Sequence, residues 1–440
     1  MAHKKVYLVS LGCPKNQVDS EVMMGLLLRE GWTPAEGPEE ADLIVVNTCA
    51  FLQEAVSEAV ETILEMAELR REGASLVVAG CLPQRYGEEV AKVLPEVDFW
   101  LGPGDIPKLP QLLRRRRGFF VGDPNAFLYD RHSPRVLFNN PFVAYVKIAE
   151  GCSHRCTFCI IPRLRGRYRS RAPEDVLEEV RALAAQGVQE VVLVAQDTTA
   201  YGRNLGLEGG LEALLRRLLE VPGYRWLRFL YTYPHPQDLP QGLLELLAEG
   251  GRLVPYLDLP IQHVSDEVLE RMQRRTSGKD IRGLVETLKA RWPQIALRAT
   301  VMVGFPGEGE GEFRELMDFV AWAEFSHLGV FRFSAEEGTE AAKMADQVPP
   351  EVAEERYRRL MELQQGISWR KNLEWIGREV EVLVEGATEE GQPVGRTPFQ
   401  APEIDGVTIV EGPGEPGEVI PVEITEAGPY DLRGRSKLSR

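Results

Sequence analysis

The chain has 440 residues, and its 51 basic and 67 acidic side chains leave a formal net charge of −16. That length predicts two to four domains at about 100–200 residues each, and a composition of 44% apolar and 27% charged residues is that of a globular protein. The charge excludes nucleic-acid binding through the overall field, so DNA is not an expected partner and RNA would need a local basic patch. No run reaches the ~18 apolar residues of a spanning helix, so no membrane contact is expected.

At the N-terminus, Lys4-Lys5 and a short apolar segment precede Cys13, in the order of a lipoprotein signal. The segment is shorter than the ~7–15 apolar residues of an export signal and contains Ser10. A cytoplasmic protein with reduced thiols is expected instead, and six cysteines are too few for a secreted disulfide scaffold.

Residues 1–125 read as an α/β domain: strands over 5–10, 42–47 and 75–79, with helical patterns over 19–29 and 53–71. Continuous Val, Leu and Ile runs between helices are the mark of buried parallel strands. Each strand runs into a cysteine, namely Cys13, Cys49 and Cys81, spaced by 36 and 32 residues. The carboxyl ends of parallel strands share one edge, where open α/β sheets place ligands. Three cysteines far apart in sequence therefore meet at one rim; the alternative is three buried core thiols.

Residues 126–141 read as a linker. A second βα series over 142–371 has strands near 144–148, 190–195, 226–231, 254–259, 297–303 and 327–333, with helices such as 173–186 and 309–323. Six such units predict a partial or full α/β barrel. Residues 372–440 read as a small antiparallel β-barrel, with strands over 378–385, 408–410 and 418–425 and 14 acidic against 6 basic residues.

The sharpest chemical signal is Cys152-Ser153-His154-Arg155-Cys156-Thr157-Phe158-Cys159, just after the first strand of the second series. Three thiolates in eight residues can wrap one iron–sulfur cluster and leave an iron open for substrate. A zinc site with His154, or a redox pair of Cys156 and Cys159, are the other readings. Val303 to Glu308 forms a Gly-rich turn between strand and helix, where backbone N–H groups are free for a ligand. Gln196, Gln262 and His263 follow other strands and are expected to face the same cavity; for His263 the alternative is a hydrogen-bonded structural role. The arginines at 163, 165, 167, 169 and 171 would share one face of an extended segment, fit for phosphates or carboxylates, or for ion pairs. The run Arg114–Arg117 suits a helix end.

The cysteine loop resembles the signature of the radical S-adenosylmethionine (SAM) superfamily. That resemblance implies a parallel α/β barrel, and SAM chelated to the open iron held by Cys152, Cys156 and Cys159. SAM is then cleaved to a 5′-deoxyadenosyl radical that takes a hydrogen from an unactivated carbon. The resemblance further places Phe158, Gln196, Gln262, His263, Gly304 and Glu308 at SAM; Gln196-Asp197 stands where many members carry Gly-Gly-Glu.

The three-domain order, with a C-terminal domain similar to TRAM, resembles the methylthiotransferases of that superfamily over essentially the whole chain. It implies that Cys13, Cys49 and Cys81 hold a second 4Fe–4S cluster that handles sulfur, with two SAM used per turnover. The strings Ser10-Leu11-Gly12-Cys13-Pro14-Lys15-Asn16, Asn47-Thr48-Cys49-Ala50-Phe51, Cys156 to Arg165 and Leu259-Pro260-Ile261-Gln262-His263-Val264-Ser265 resemble the ribosomal-protein branch more than the tRNA-modifying one. The implied substrate is an aspartate of the twelfth small-subunit ribosomal protein, methylthiolated at its β-carbon. An electron donor such as flavodoxin or ferredoxin, a sulfur donor and contact with the ribosome are implied as well. The acidic C-terminal segment suits a basic protein partner. A tRNA adenosine methylthiotransferase, supported by the arginine alternation, and a non-enzymatic iron–sulfur carrier or redox sensor are the rival readings.

Overall fold

The computed structural model describes residues 4–115 and 117–438. The N-terminal region forms a six-stranded sheet in the order Thr33–Pro34, Lys5–Ser10, Leu43–Thr48, Ser75–Gly80, Phe99–Leu101, Gly118–Phe120, parallel throughout. The strand order reverses between Lys5–Ser10 and Leu43–Thr48, and a crevice opens at such a switch point beyond the carboxyl ends. The central strand Leu43–Thr48 is buried along its whole length, which is why it reads as an unbroken apolar run. The Arg114–Arg117 run follows the short helix Leu109–Leu112. There Arg117 lies 3.3 Å from Asp98, while Arg116 is outside the described residues.

The central region contains two three-stranded parallel sheets, Val143–Lys147 with Glu190–Val194 and Trp226–Phe229, and Tyr256–Gln262 with Ala296–Val303 and His327–Arg332. A parallel bridge between Leu227 and Leu253 joins them. Among the described residues no pairing joins the first strand to the last, so this is a partial barrel of six strands. Helices such as Pro173–Ala185 and Glu310–Ala323 cover its outside, and their inward Val, Leu and Phe residues close one core. A further helix, Pro350–Leu373, packs along it: Gln364 donates to Phe325 O at 2.8 Å and Ser368 to Ser326 O at 3.0 Å.

The C-terminal strands close into a five-stranded barrel around Val382, Val384, Val410, Val422 and Ile424. Four pairs are antiparallel, but Thr408–Glu411 and Leu432–Ser436 pair in parallel, so the all-antiparallel expectation is corrected at that seam. The barrel sits against the starts of the central strands. Arg396 reaches Glu190 at 2.6 Å, and Tyr256 Oη donates to Asp405 at 2.7 Å. Among the described residues no helix is long and apolar enough to cross a membrane.

Candidate functional site

Cys13, Cys49 and Cys81 stand at the ends of three adjacent strands, across and beside the switch point. Cys13 is the N-cap of the helix Pro14–Arg29, and Cys81 opens the helix Cys81–Tyr86. Side-chain amides fasten these loops. Asn16 Nδ2 donates to Leu11 O at 3.1 Å and Thr48 O at 2.9 Å, and Asn47 Nδ2 donates to Asn16 O at 2.8 Å. A Cβ on Gly12, which has φ +88°, would come within 2.5 Å of Cys49 Cβ, so glycine is required for this approach.

The three thiols feel one another. Burial pushes Cys49 up to about 12, and the nearby Cys81 and Cys13 add like-charge repulsion. Burial also raises Cys81, against the pull of the Arg165 guanidinium. Three thiolates this close need positive charge, and iron together with Arg165 would supply it.

The second cysteine set lies on a loop held at both ends. Ala149–Glu150 pairs with Arg169–Ser170, and Cys152 N donates to Gly166 O at 3.1 Å. In its middle, Thr157 N and Oγ1 donate to Met272 O at 3.1 Å and Arg271 O at 2.9 Å. Burial pushes Cys152 up to about 11 and Cys159 up to about 12, with the neighbouring thiols adding to both. Arg274 Nη1 points at Cys156 Sγ from 3.7 Å. His154 instead faces Asp197 at 2.7 Å and stacks on Tyr233 at 4.3 Å, which occupies the side chain a zinc knuckle would need. Among the described residues no three His, Cys, Asp or Glu side chains converge on a single metal ion; a cubane is a larger body, and its thiolates stand farther apart. All-thiol donor sets with cationic neighbours fit such a cluster.

A cavity of about 420 Å³ has Cys13 and Lys15 on one wall and Cys152, Cys156 and Cys159 on another; Cys49 and Cys81 do not line it. Gln196, Tyr231 and Gln262, from three strand ends, line it together with Phe158, Met302 and Phe333. Its size is that of a small-molecule site. Tyr231 and Gln262 hold φ of 63° and 71°, a left-handed conformation that costs non-glycine residues about 1–3 kcal/mol and clusters at functional sites. The Oε1 of Gln196 and the Nε of Arg274 are buried without hydrogen-bond partners.

Of the residues expected at SAM, Phe158, Gln196 and Gln262 reach this cavity, while Gly304 lines an adjoining groove of about 610 Å³. His263 and Glu308 do not reach it. His263, just past the end of the strand Tyr256–Gln262, is fully buried, and its Nδ1 accepts from Ser265 N at 3.0 Å. Glu308 folds back to accept from Gly304 N at 2.8 Å and from Arg356 at 2.9 Å. The Gly-rich turn consumes its own carboxylate.

The arginine alternation does not form one face. Arg163 lies in the helix Ile161–Arg165, Arg165 is buried against Asp19 at 2.6 Å, and Arg171 is buried against Glu179 at 2.5 Å. Lys147 joins Asp19 at 2.5 Å and Glu150 at 2.6 Å, so one buried lattice ties the N-terminal sheet to the cysteine loop. Burial alone would raise Glu150, but Lys147 and Arg165 hold it down at about 2. The Arg165 guanidinium also draws the Cys81 thiol toward its thiolate form. Lys15, Tyr231 and Arg274 were not singled out from the sequence; the one available signal for Lys15 was its place two residues after Cys13.

Comparison with known proteins agrees in all three regions. Residues 5–102 match the Uncharacterized protein family UPF0004, 146–320 the Radical SAM superfamily, and 376–436 the TRAM domain. A Geobacter sulfurreducens protein named ribosomal protein uS12 methylthiotransferase RimO is 46% identical over 443 residues, covering 98% of each chain. A Sorangium cellulosum protein of the same name is 48% identical, over 99% of this chain and 91% of its own. Among solved structures, the radical SAM methyltransferase TsrM from Kitasatospora setae, with cobalamin and a [4Fe-4S] cluster bound, superposes with a TM-score of 0.54 at 18% identity over 75% of each chain, a likeness of fold. With near-half identity end to end and all three domain matches in order, the chain belongs to the RimO family of radical SAM methylthiotransferases.

Proposed function

We propose that this enzyme inserts a methylthio group at the β-carbon of an aspartate in ribosomal protein uS12, in the cytoplasm, using two SAM per turnover and two 4Fe–4S clusters. The observation that carries the reading is the cavity with Cys13 on one wall and Cys152, Cys156 and Cys159 on another, in a chain whose relatives are named for this activity. Cys152, Cys156 and Cys159 hold the cluster that binds SAM; Cys13, Cys49 and Cys81 hold the one that carries sulfur. When bound, these groups supply one-electron cleavage of SAM and the sulfur that is transferred, fed by an external electron donor and sulfur donor.

The chain's own residues position the reactants. The orphaned Gln196 Oε1 is an acceptor suited to the ammonium of SAM's methionine, and Gln196 is braced by its bond to Glu150 at 2.7 Å. Phe158, Met302 and Phe333 give apolar wall against which a ring can pack and from which water is displaced. No general base is required at the attacked carbon, because a hydrogen atom leaves rather than a proton. The tRNA reading loses two of its five arginines, since Arg165 and Arg171 are spent on buried ion pairs.

The test is a competition under strict anaerobiosis. Reconstituted enzyme, SAM, sulfide and a strong reductant meet uS12 and bulk tRNA together, and both are analysed by mass spectrometry. A methylthio mass gain on one aspartate peptide with unchanged tRNA is expected. A gain on a tRNA adenosine instead would overturn the proposal.

A further inference from the structure

Lys15 is a buried cation outside the ion-pair lattice that ties the N-terminal sheet to the cysteine loop. It is 9% exposed, stands on the cavity wall in the first turn of the helix Pro14–Arg29, and holds its ammonium 3.3 Å from the centre of the Tyr231 ring. The other cationic groups of that wall have acceptors. Arg332 pairs with Glu354 at 2.6 Å and Glu54 at 3.1 Å, and Arg274 donates to Pro260 O at 2.9 Å. Among the described residues Lys15 forms no ion pair, and the cavity wall carries no Asp or Glu. Beyond the Tyr231 ring, the ammonium feels the Cys13 thiol and the Glu150 carboxylate only at longer range, so it lacks the close anionic partner that burial favours, and the helix N-terminus behind it adds to the attraction for an anion.

The ring that supports Lys15 is itself fixed. Tyr231 N donates to Asp258 at 2.9 Å, and Asp258 is held by Arg298 at 3.0 Å inside the partial barrel. The cation is therefore presented on a rigid platform beside Cys13.

We propose that Lys15 determines substrate specificity by taking the side-chain carboxylate of the aspartate that is modified. The inference rests on the aspartate reading above. The β-carbon is bonded directly to that carboxylate, so an ion pair there fixes the reacting carbon within one bond of the grip. Asparagine has nearly the same shape and no charge, and leaves the lysine unpaired; a site built for a charged partner rejects such an analogue strongly.

The experiment uses the full-length, cluster-reconstituted enzyme and short uS12 peptides with Asp or Asn at the target position, with anaerobic equilibrium binding, iron and sulfide per chain, and methylthio mass gain as readouts. Wild type is expected to bind the Asp peptide about 100-fold tighter than the Asn peptide. Lys15→Met, close in length but uncharged, should abolish that preference, and Lys15→Arg should keep most of it. An undiminished Asp preference in Lys15→Met would overturn the inference while leaving the proposed function intact. Loss of iron in Lys15→Met but not in Lys15→Arg would also overturn it, by assigning the cation to the Cys13 cluster. If wild type modifies neither the Asp peptide nor whole uS12, the aspartate reading itself fails and the inference fails with it.

Discussion

His263 shows how far one buried ring can govern the response to pH. Burial, then the positive Arg356, brings its basicity down to about 3. Its Nδ1 already accepts Ser265 N–H, so a second ring proton would break that bond. The folded state thus binds fewer protons than the unfolded chain. The stability from neutral His263 is present above pH 6.5 and drains as the pH falls toward 3. Neighbouring Glu308, which burial lifts to about 7, has the opposite slope but is common to wild type and variant. His263→Asn should therefore gain about 2 kcal/mol relative to wild type between pH 6.5 and 5, at roughly 1.4 kcal/mol per pH unit, in denaturant midpoints. A parallel pair of pH profiles would contradict this. Arg274 Nη1 stands 3.7 Å from Cys156 Sγ, so it would stabilise the more negative, reduced state of a cluster held there. Arg274→Met should lower that cluster's potential by about 60 mV, one decade in a one-electron equilibrium, in an EPR-monitored titration. Cys49→Ala should halve iron and sulfide per chain; complete loss would mean that the two cysteine sets share one cluster.

At the scale of elements, Asp19 on the helix Pro14–Arg29 accepts from both Lys147 and Arg165 and so holds two regions of the chain together. Removing one partner of a buried charge network costs about 3–5 kcal/mol, because the others are left uncompensated. Asp19→Asn should open the seam between the N-terminal sheet and the cysteine loop, read as faster proteolysis within residues 121–142, which hold no strand or helix. That segment is fastened through Arg135, which pairs with Glu21 and Glu179 at 2.6 Å each. The cysteine-tipped strands were legible in the sequence because a buried parallel strand is an unbroken apolar run and a ligand edge follows it. The helix Pro350–Leu373 was not, because its buried positions include Arg356, Gln364 and Ser368, which dilute the apolar period. The strands Pro393–Arg396 and Leu432–Ser436 carry Pro, Gly and Arg, and their sequence signals turn instead. Strand ends also explain the mixed outcome at the cavity. The strand ends at Gln262, whose left-handed φ of 71° turns the chain there, so Gln262 lines the cavity and His263 is buried away from it. Lys15 and Arg274 are not legible as cavity residues in the sequence, because their place depends on where a long side chain ends, which spacing alone does not fix.

Across the whole molecule, the partial barrel is closed at one end and used at the other. The cavity lies beyond the carboxyl ends of its strands, while the C-terminal barrel seals their starts with buried charge. Glu190 is the hinge of that seal: it takes Arg228 from its own sheet and Arg396 from the C-terminal barrel, each at 2.6 Å, with all three side chains almost wholly buried. Burial opposes the Glu190 carboxylate, but the two guanidiniums outweigh it and hold it below the usual range. Arg396 has a second carboxylate in Glu385 at 2.6 Å, whereas Arg228 has only Glu190 among the described residues. Glu190→Gln should thus strand Arg228 more than Arg396 and destabilise the docked state by about 3–5 kcal/mol. The double change Glu190→Gln with Arg228→Met removes the orphaned charge and should recover much of that loss. Limited proteolysis between the helix Pro350–Leu373 and the strand Glu379–Ala387 would report the undocking. If the single variant is cut no faster than wild type, the seal depends on the Tyr256–Asp405 contact rather than on Glu190.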